Sequence, residues 1–121
     1  MKIIIAGSRT ITDYQIIKKA IEDSQFQITE IVSGGAVGVD RLGERYAREN
    51  KIPVKQFIPD WSCGKVAGLK RNTEMANYGD ALIAIWDGES RGTKHMIAEA
   101  TKRHLKIFVV NIHLPKHSLT V

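Results

Sequence analysis

One cysteine, Cys63, excludes an internal disulfide. Four histidines, His95, His104, His113 and His117, are scattered without the paired spacing of a zinc site, so no metal is expected. The N-terminal apolar run, Ile3 to Ala6, is too brief for a signal peptide or a membrane span. A soluble, cytoplasmic protein without membrane association is the expectation. There is no internal repeat, linker or low-complexity stretch, and 121 residues leave no room for a second domain. A single domain over 1–121 is therefore expected.

Charge of one sign is present but never gathered into a block. The formal net charge of +5 favours phosphate-bearing partners, small or polymeric. The densest basic stretch, Lys102-Arg103-His104-Leu105-Lys106, falls at a helix end, where cations complement the carbonyl pole of the dipole.

What the chain does have is alternation. Apolar runs predict strands over 2–6, 28–33, 53–58, 81–86 and 107–111. Between them, apolar residues recur at helical spacing. Thr12 or Asp13 caps a helix carrying Ile17, Ala20, Ile21 and Ser24, and Gly34-Gly35-Ala36-Val37-Gly38 opens one with Val39, Leu42, Tyr46 and Ala47 on its inner stripe. Further helices are expected over 66–78 and 93–104, the latter turning Met96, Ile97 and Ala100 inward. The segment 59–64 reads as loop, and the tail after Ile112 as peripheral. Five strands alternating with four helices specify an α/β fold. It is a Rossmann-like three-layer sandwich whose mainly parallel five-stranded sheet is covered on both faces.

In such sheets the ligand crevice lies beyond the carboxyl ends of the strands. The turns there are Gly7-Ser8-Arg9, Ser33-Gly34-Gly35-Ala36-Val37-Gly38 and Ser90-Arg91-Gly92-Thr93. Glycines allow close backbone approach, N–H groups at a helix start attract anions, and hydroxyls and arginine forks add donors. That combination suits phosphate, although any one glycine turn also has a purely steric explanation. Gly38 is followed by Val39-Asp40, not the lysine and hydroxyl of a Walker loop, and the glycine motif follows the second strand, not the first. ATP hydrolysis and hydride transfer are disfavoured.

These turns, with Gly64-Lys65-Val66-Ala67-Gly68-Leu69-Lys70-Arg71-Asn72-Thr73-Glu74-Met75, resemble the motifs of the SLOG superfamily. More narrowly, the chain is similar to its short stand-alone branch in bacteria and phages, related to the lonely-guy and lysine-decarboxylase-like phosphoribohydrolases. The resemblance runs from Ile3 to Val110. It implies binding of a nucleotide or nucleotide-derived ligand, such as a mononucleotide or an ADP-ribose-like molecule, by a sensor, carrier or sequestering protein. It further implies association of copies into a homo-oligomer, and no cofactor. Gly34, Gly35, Gly38, Gly92 and Thr93 would hold phosphate, and Arg71 would be the functional arginine ahead of Met75.

Some relatives hydrolyse the N-glycosidic bond of nucleoside 5′-monophosphates, and another branch handles single-stranded DNA. The hydrolases carry a glutamate two or three residues after the Gly-Thr pair, where this chain has His95 and Met96. Glycosidic cleavage requires a carboxylate near the developing oxocarbenium charge. Glu99 lies further along the helix; Glu74, Glu89 and Asp40 are the other candidates. Binding therefore leads over hydrolysis, for which Arg71 and Glu74 are the candidate catalytic residues. Single-stranded DNA ranks lower, because Trp61 and Trp86 make a thin stacking platform.

The full candidate ligand set is Gly7, Ser8, Arg9, Ser33, Gly34, Gly35, Gly38, Asp40, Lys65, Arg71, Asn72, Arg91, Gly92 and Thr93. Asp40 equally suits the first-turn dipole of its helix, and Asn72 a local cap. Trp61 is expected to seal the core, and His95 to be exposed. Cys63 has no histidine nearby in sequence to activate it.

Overall fold

The computed structural model describes residues 1–113. The peripheral tail expected from the sequence lies, from residue 114 on, outside the described residues. In chain order the elements are β1 (Lys2–Gly7), α1 (Tyr14–Ser24), β2 (Glu30–Ser33), α2 (Val39–Glu49) and β3 (Val54–Gln56). A 3-10 segment (Trp61–Val66), α3 (Ala67–Tyr78), β4 (Ala81–Trp86), α4 (Arg91–Lys102) and β5 (Lys106–Asn111) follow. The sheet order is β3-β2-β1-β4-β5, and every pairing is parallel.

Successive strand residues point to opposite faces, and the core divides accordingly. Ile3, Ile5, Ile31, Ala81, Ile83 and Ile85 meet Ile17, Ala20 and Ile21 of α1 and Val39 and Ala47 of α2. Ile4, Ala6, Val32, Leu82 and Ala84 meet Met75 and Ala76 of α3 and Met96 and Ala100 of α4. Strands buried on both faces explain why β1 and β4 read as continuous apolar runs. The covering is incomplete at one edge, where all three residues of β3 are exposed.

Local hydrogen bonds settle one helix start and shift another. Of the two expected caps, Asp13 is the one that caps α1, its carboxylate accepting from the Gln15 N–H at 3.0 Å. The last helix begins at Arg91, two residues early, because the Asp87 carboxylate accepts from the N–H groups of Glu89 and Ser90 and sets Ser90 as the cap. The Ser90 hydroxyl then accepts from the Thr93 N–H. The segment expected as loop forms a 3-10 turn with a kink at Gly64, whose φ is +75°. At the far end of α4, Arg103 folds back onto the Glu99 carbonyl, the dipole-complementing role expected for the basic stretch.

Because α1 leaves β1 toward one face and α4 leaves β4 toward the other, the carboxyl ends of these adjacent central strands diverge. That divergence opens the crevice.

Candidate functional site

The crevice has two adjoining lobes. The first, about 390 Å³, lies over the ends of β1 and β4 and is bordered by Ser8, Arg9, Asp40, Arg71, Asn72, Asp87, Gly92 and Thr93, with Met75 and Met96 behind. The second, about 300 Å³, is bordered by Gly34, Gly35, Val37, Arg41, Ile58, Pro59 and Trp61. Arg9, Ala36 and Arg71 border both. Each volume lies within or close to the range of about 300–1,000 Å³ common for small-molecule sites.

Arg71 is held by its own strand-and-helix surroundings but keeps donors free. Its Nη1 donates to the Gly34 carbonyl at 2.8 Å and its Nε to Asn72 Oδ1 at 2.9 Å. Among the described residues it forms no ion pair. Burial lowers the guanidinium's pKa, the neighbouring Asp40 carboxylate opposes this, and Arg9 adds to it by like-charge repulsion.

Asn72 is buried and joins the two helices that flank the first lobe. Arginine only donates, so the atom receiving Arg71 Nε is the Asn72 oxygen. Asn72 Nδ2 therefore donates to the Gly92 carbonyl at 3.2 Å and faces His95 Nδ1 at 3.1 Å. His95 thus accepts at Nδ1 and is half-buried, not exposed as expected.

The turn after β2, the most conspicuous in the sequence, spends two of its donors on nearby side chains. The Gly35 N–H donates to Ser33 Oγ at 3.1 Å and the Ala36 N–H to Asp40 Oδ2 at 3.3 Å. Buried Ser33 donates to Glu44 at 2.6 Å and lies behind the cleft. Each glycine of this turn has a packing reason: a Cβ on Gly34 would meet Arg71 and Asp40, on Gly35 Ile58, and on Gly38 the backbone of Ser8 and Arg9. Gly7 likewise backs onto the Ile85 carbonyl and Val39. The turn after β4 differs. A Cβ on Gly92 would meet nothing within 4 Å, and its φ is not positive. The N–H groups of Arg91 and Gly92 have no partner among the described residues.

Asp40 is almost fully buried in the first turn of α2. Burial pushes its carboxyl from 3.8 up to about 6, against the Ala36 N–H and the Arg71 charge, which favour the ionised form. The folded state thus binds this proton more tightly than the unfolded chain. Its stabilising effect is complete below about pH 4, is lost as pH rises through about 6, and amounts to something on the order of 3 kcal/mol. Asp40→Asn is expected to raise the thermal midpoint at pH 8 and to gain little at pH 4; an equal change at both, by calorimetry, contradicts this. Asp87, by contrast, is held below the usual carboxylate range by the N–H groups of Glu89 and Ser90.

The structure brings Gly7, Ser8, Arg9, Asp40, Arg71, Asn72, Gly92 and Thr93 to the first lobe and Gly34 and Gly35 to the second. Gly38, Ser33, Lys65 and Arg91 border neither, and Glu74 is exposed on α3 outside both. Glu99 is engaged elsewhere, accepting from Thr73 Oγ1 at 2.8 Å and pairing with Arg103 at 3.1 Å. Trp61 does not seal the core: it is 58% exposed, because the 3-10 segment turns it onto the second lobe. Sequence reasoning missed Asp87 and Arg41. Asp87 directly follows β4, so the rule that sites lie beyond strand ends could have found it; Arg41 carries no such signal.

The sequence pattern of the YspA and cpYpsA-related SLOG family (YAcAr) matches residues 1–64. The chain belongs to this SLOG family. It is 33% identical over 117 residues to the Gene 61 protein of Mycobacterium phage D29, covering 88% of this chain and 93% of that protein. Its fold is similar to the X-ray structure of DNA processing protein A from Streptococcus pneumoniae, with a TM-score of 0.77 at 17% identity. The match covers 95% of this chain and 52% of that one, so the SLOG chain spans about half the length of this neighbour.

Proposed function

We propose that the protein binds a nucleotide or nucleotide-derived ligand, with its phosphate in the first lobe between the start of α4 and Arg71. The observation that carries this reading is the half-buried Arg71 guanidinium, which lacks an ion-pair partner among the described residues and shares the cleft with the equally unpaired Arg9. Asp40 offsets only part of their charge, and an entering anion would relieve the repulsion between them. Free N–H groups at Arg91 and Gly92, and the positive end of α4, favour the same occupant.

The start of α2 is a poorer phosphate site. Two of its turn donors, the Gly35 and Ala36 N–H groups, are engaged by Ser33 and Asp40, and above about pH 6 the Asp40 carboxylate repels a second anion there. Asp87 and Asp40 instead suit sugar hydroxyls, which donate to carboxylates.

Gly92 supplies the test. Alanine there meets no atom of the fold and improves helix propensity, so Gly92→Ala is expected to keep or slightly raise stability, by up to about 1 kcal/mol. The new methyl occupies the approach to the free N–H groups, so affinity for AMP, GMP, CMP and UMP is expected to fall at least tenfold by calorimetry. Unchanged affinity, or binding of a single-stranded oligonucleotide without any mononucleotide, overturns the proposal.

Hydrolysis of a nucleoside 5′-monophosphate is a second reading, favoured by one observation. Of the carboxylates considered for the missing glutamate, Asp40 alone borders the cleft, and its pKa near 6 suits proton transfer. Free base and ribose 5-phosphate released from AMP by the wild type but not by Asp40→Asn would establish it.

A further inference from the structure

Trp61 and Ile58 are 58% and 63% exposed, large apolar surfaces that the packing of the fold leaves unexplained. With Pro59, Gly34 and Gly35 they border the second lobe, Ile58 lying against Gly35. Trp61 is not loosely placed. Asp60 caps the 3-10 segment by accepting from the Ser62 N–H at 3.1 Å and hydroxyl at 2.6 Å, and the indole tip approaches Gly68 of α3. The lobe joins the first through Arg9 and Arg71, so a molecule whose phosphate meets Arg71 extends from there toward the indole.

We infer that the second lobe is a base-binding subsite in which Trp61 stacks on the nucleobase of the ligand, with Ile58 and Pro59 packing around it. The inference rests on the nucleotide reading and adds which end of the ligand goes where. An apolar wall lined by a flat indole recognises an aromatic ring by its face. Selection is therefore by stacking area and not by edge hydrogen bonds, and purines bind ahead of pyrimidines.

The test compares AMP, UMP and ribose 5-phosphate, which lacks the base, on wild type, Trp61→Ala and Trp61→Phe by calorimetry. The exposed position makes both variants expected to fold like the wild type, checked by circular dichroism. Wild type is expected to prefer AMP over ribose 5-phosphate by about ten- to hundredfold, the range of one base–aromatic stack. The preference is expected to fall to within about threefold in Trp61→Ala, and to return largely in Trp61→Phe. An undiminished preference in Trp61→Ala overturns the subsite while leaving the phosphate cleft intact. Equal binding of AMP and ribose 5-phosphate by wild type does the same. Absence of binding by all three probes overturns the nucleotide reading and the subsite together.

Discussion

Gly38→Ala is expected to destabilise the fold severely. Gly38 has φ +80° and ψ −131°, a conformation that side chains rarely adopt, and strain of this kind costs about 1–3 kcal/mol. A Cβ there would also lie 2.6 Å from the Arg9 carbonyl oxygen and 2.7 Å from Arg9 Cα and the Ser8 carbonyl oxygen. These are backbone atoms, which no rotamer change can move, and overpacking adds about 1–3 kcal/mol more. The sum is a large share of the roughly 5–15 kcal/mol that separates folded from unfolded domains. Urea unfolding followed by circular dichroism measures it. A midpoint close to wild type would show that the turns after β1 and β2 can separate without loss, contrary to their packing. Gly92→Ala, at the same sheet edge, is the matched control, since there the fold leaves room.

Arg71→Ala is expected to reduce nucleotide affinity by about a hundredfold, since hydrogen bonds to charged groups contribute about 1.5–3 kcal/mol each and the guanidinium offers a fork. The cost in stability is smaller. Gly34 O and Asn72 Oδ1 lose their partner, which water can replace at this half-buried position, at about 1 kcal/mol. Arg71→Lys keeps the charge but cannot hold Gly34 and Asn72 while also meeting a phosphate, so it is expected to restore no more than about a tenth of the lost affinity. Calorimetric titration with AMP at fixed ionic strength reads both variants. Wild-type affinity in Arg71→Ala would remove the basis of the phosphate assignment.

The sheet was legible because its central strands are buried on both faces, so Ile3 to Ala6 and Ala81 to Ile85 carry an uninterrupted apolar signal. The rule placing sites at strand ends then located the crevice from element order alone. Hydrogen-bond occupancy was not legible. The Gly34 to Gly38 turn has the composition of a phosphate cradle, yet side chains from Ser33 and Asp40 already take the donors of Gly35 and Ala36. Spacing shows which N–H groups exist and not which are spent. Trp61 was equally ambiguous: its place in a loop allowed either an inward or an outward ring. The structure turns it outward, in the 3-10 segment that Asp60 caps.

Asn72 has a consequence for the energetics of recognition. One buried amide holds Arg71 through its oxygen and the first turn of α4 through its nitrogen, so the fold itself orients the guanidinium and the free N–H groups toward one another. An entering anion need not freeze a mobile arginine or draw two helices together, each of which would subtract conformational entropy from the association. The ordering is completed when the chain folds. The cleft is preorganised, and loosening that single amide would weaken binding without touching any atom in contact with the ligand's phosphate.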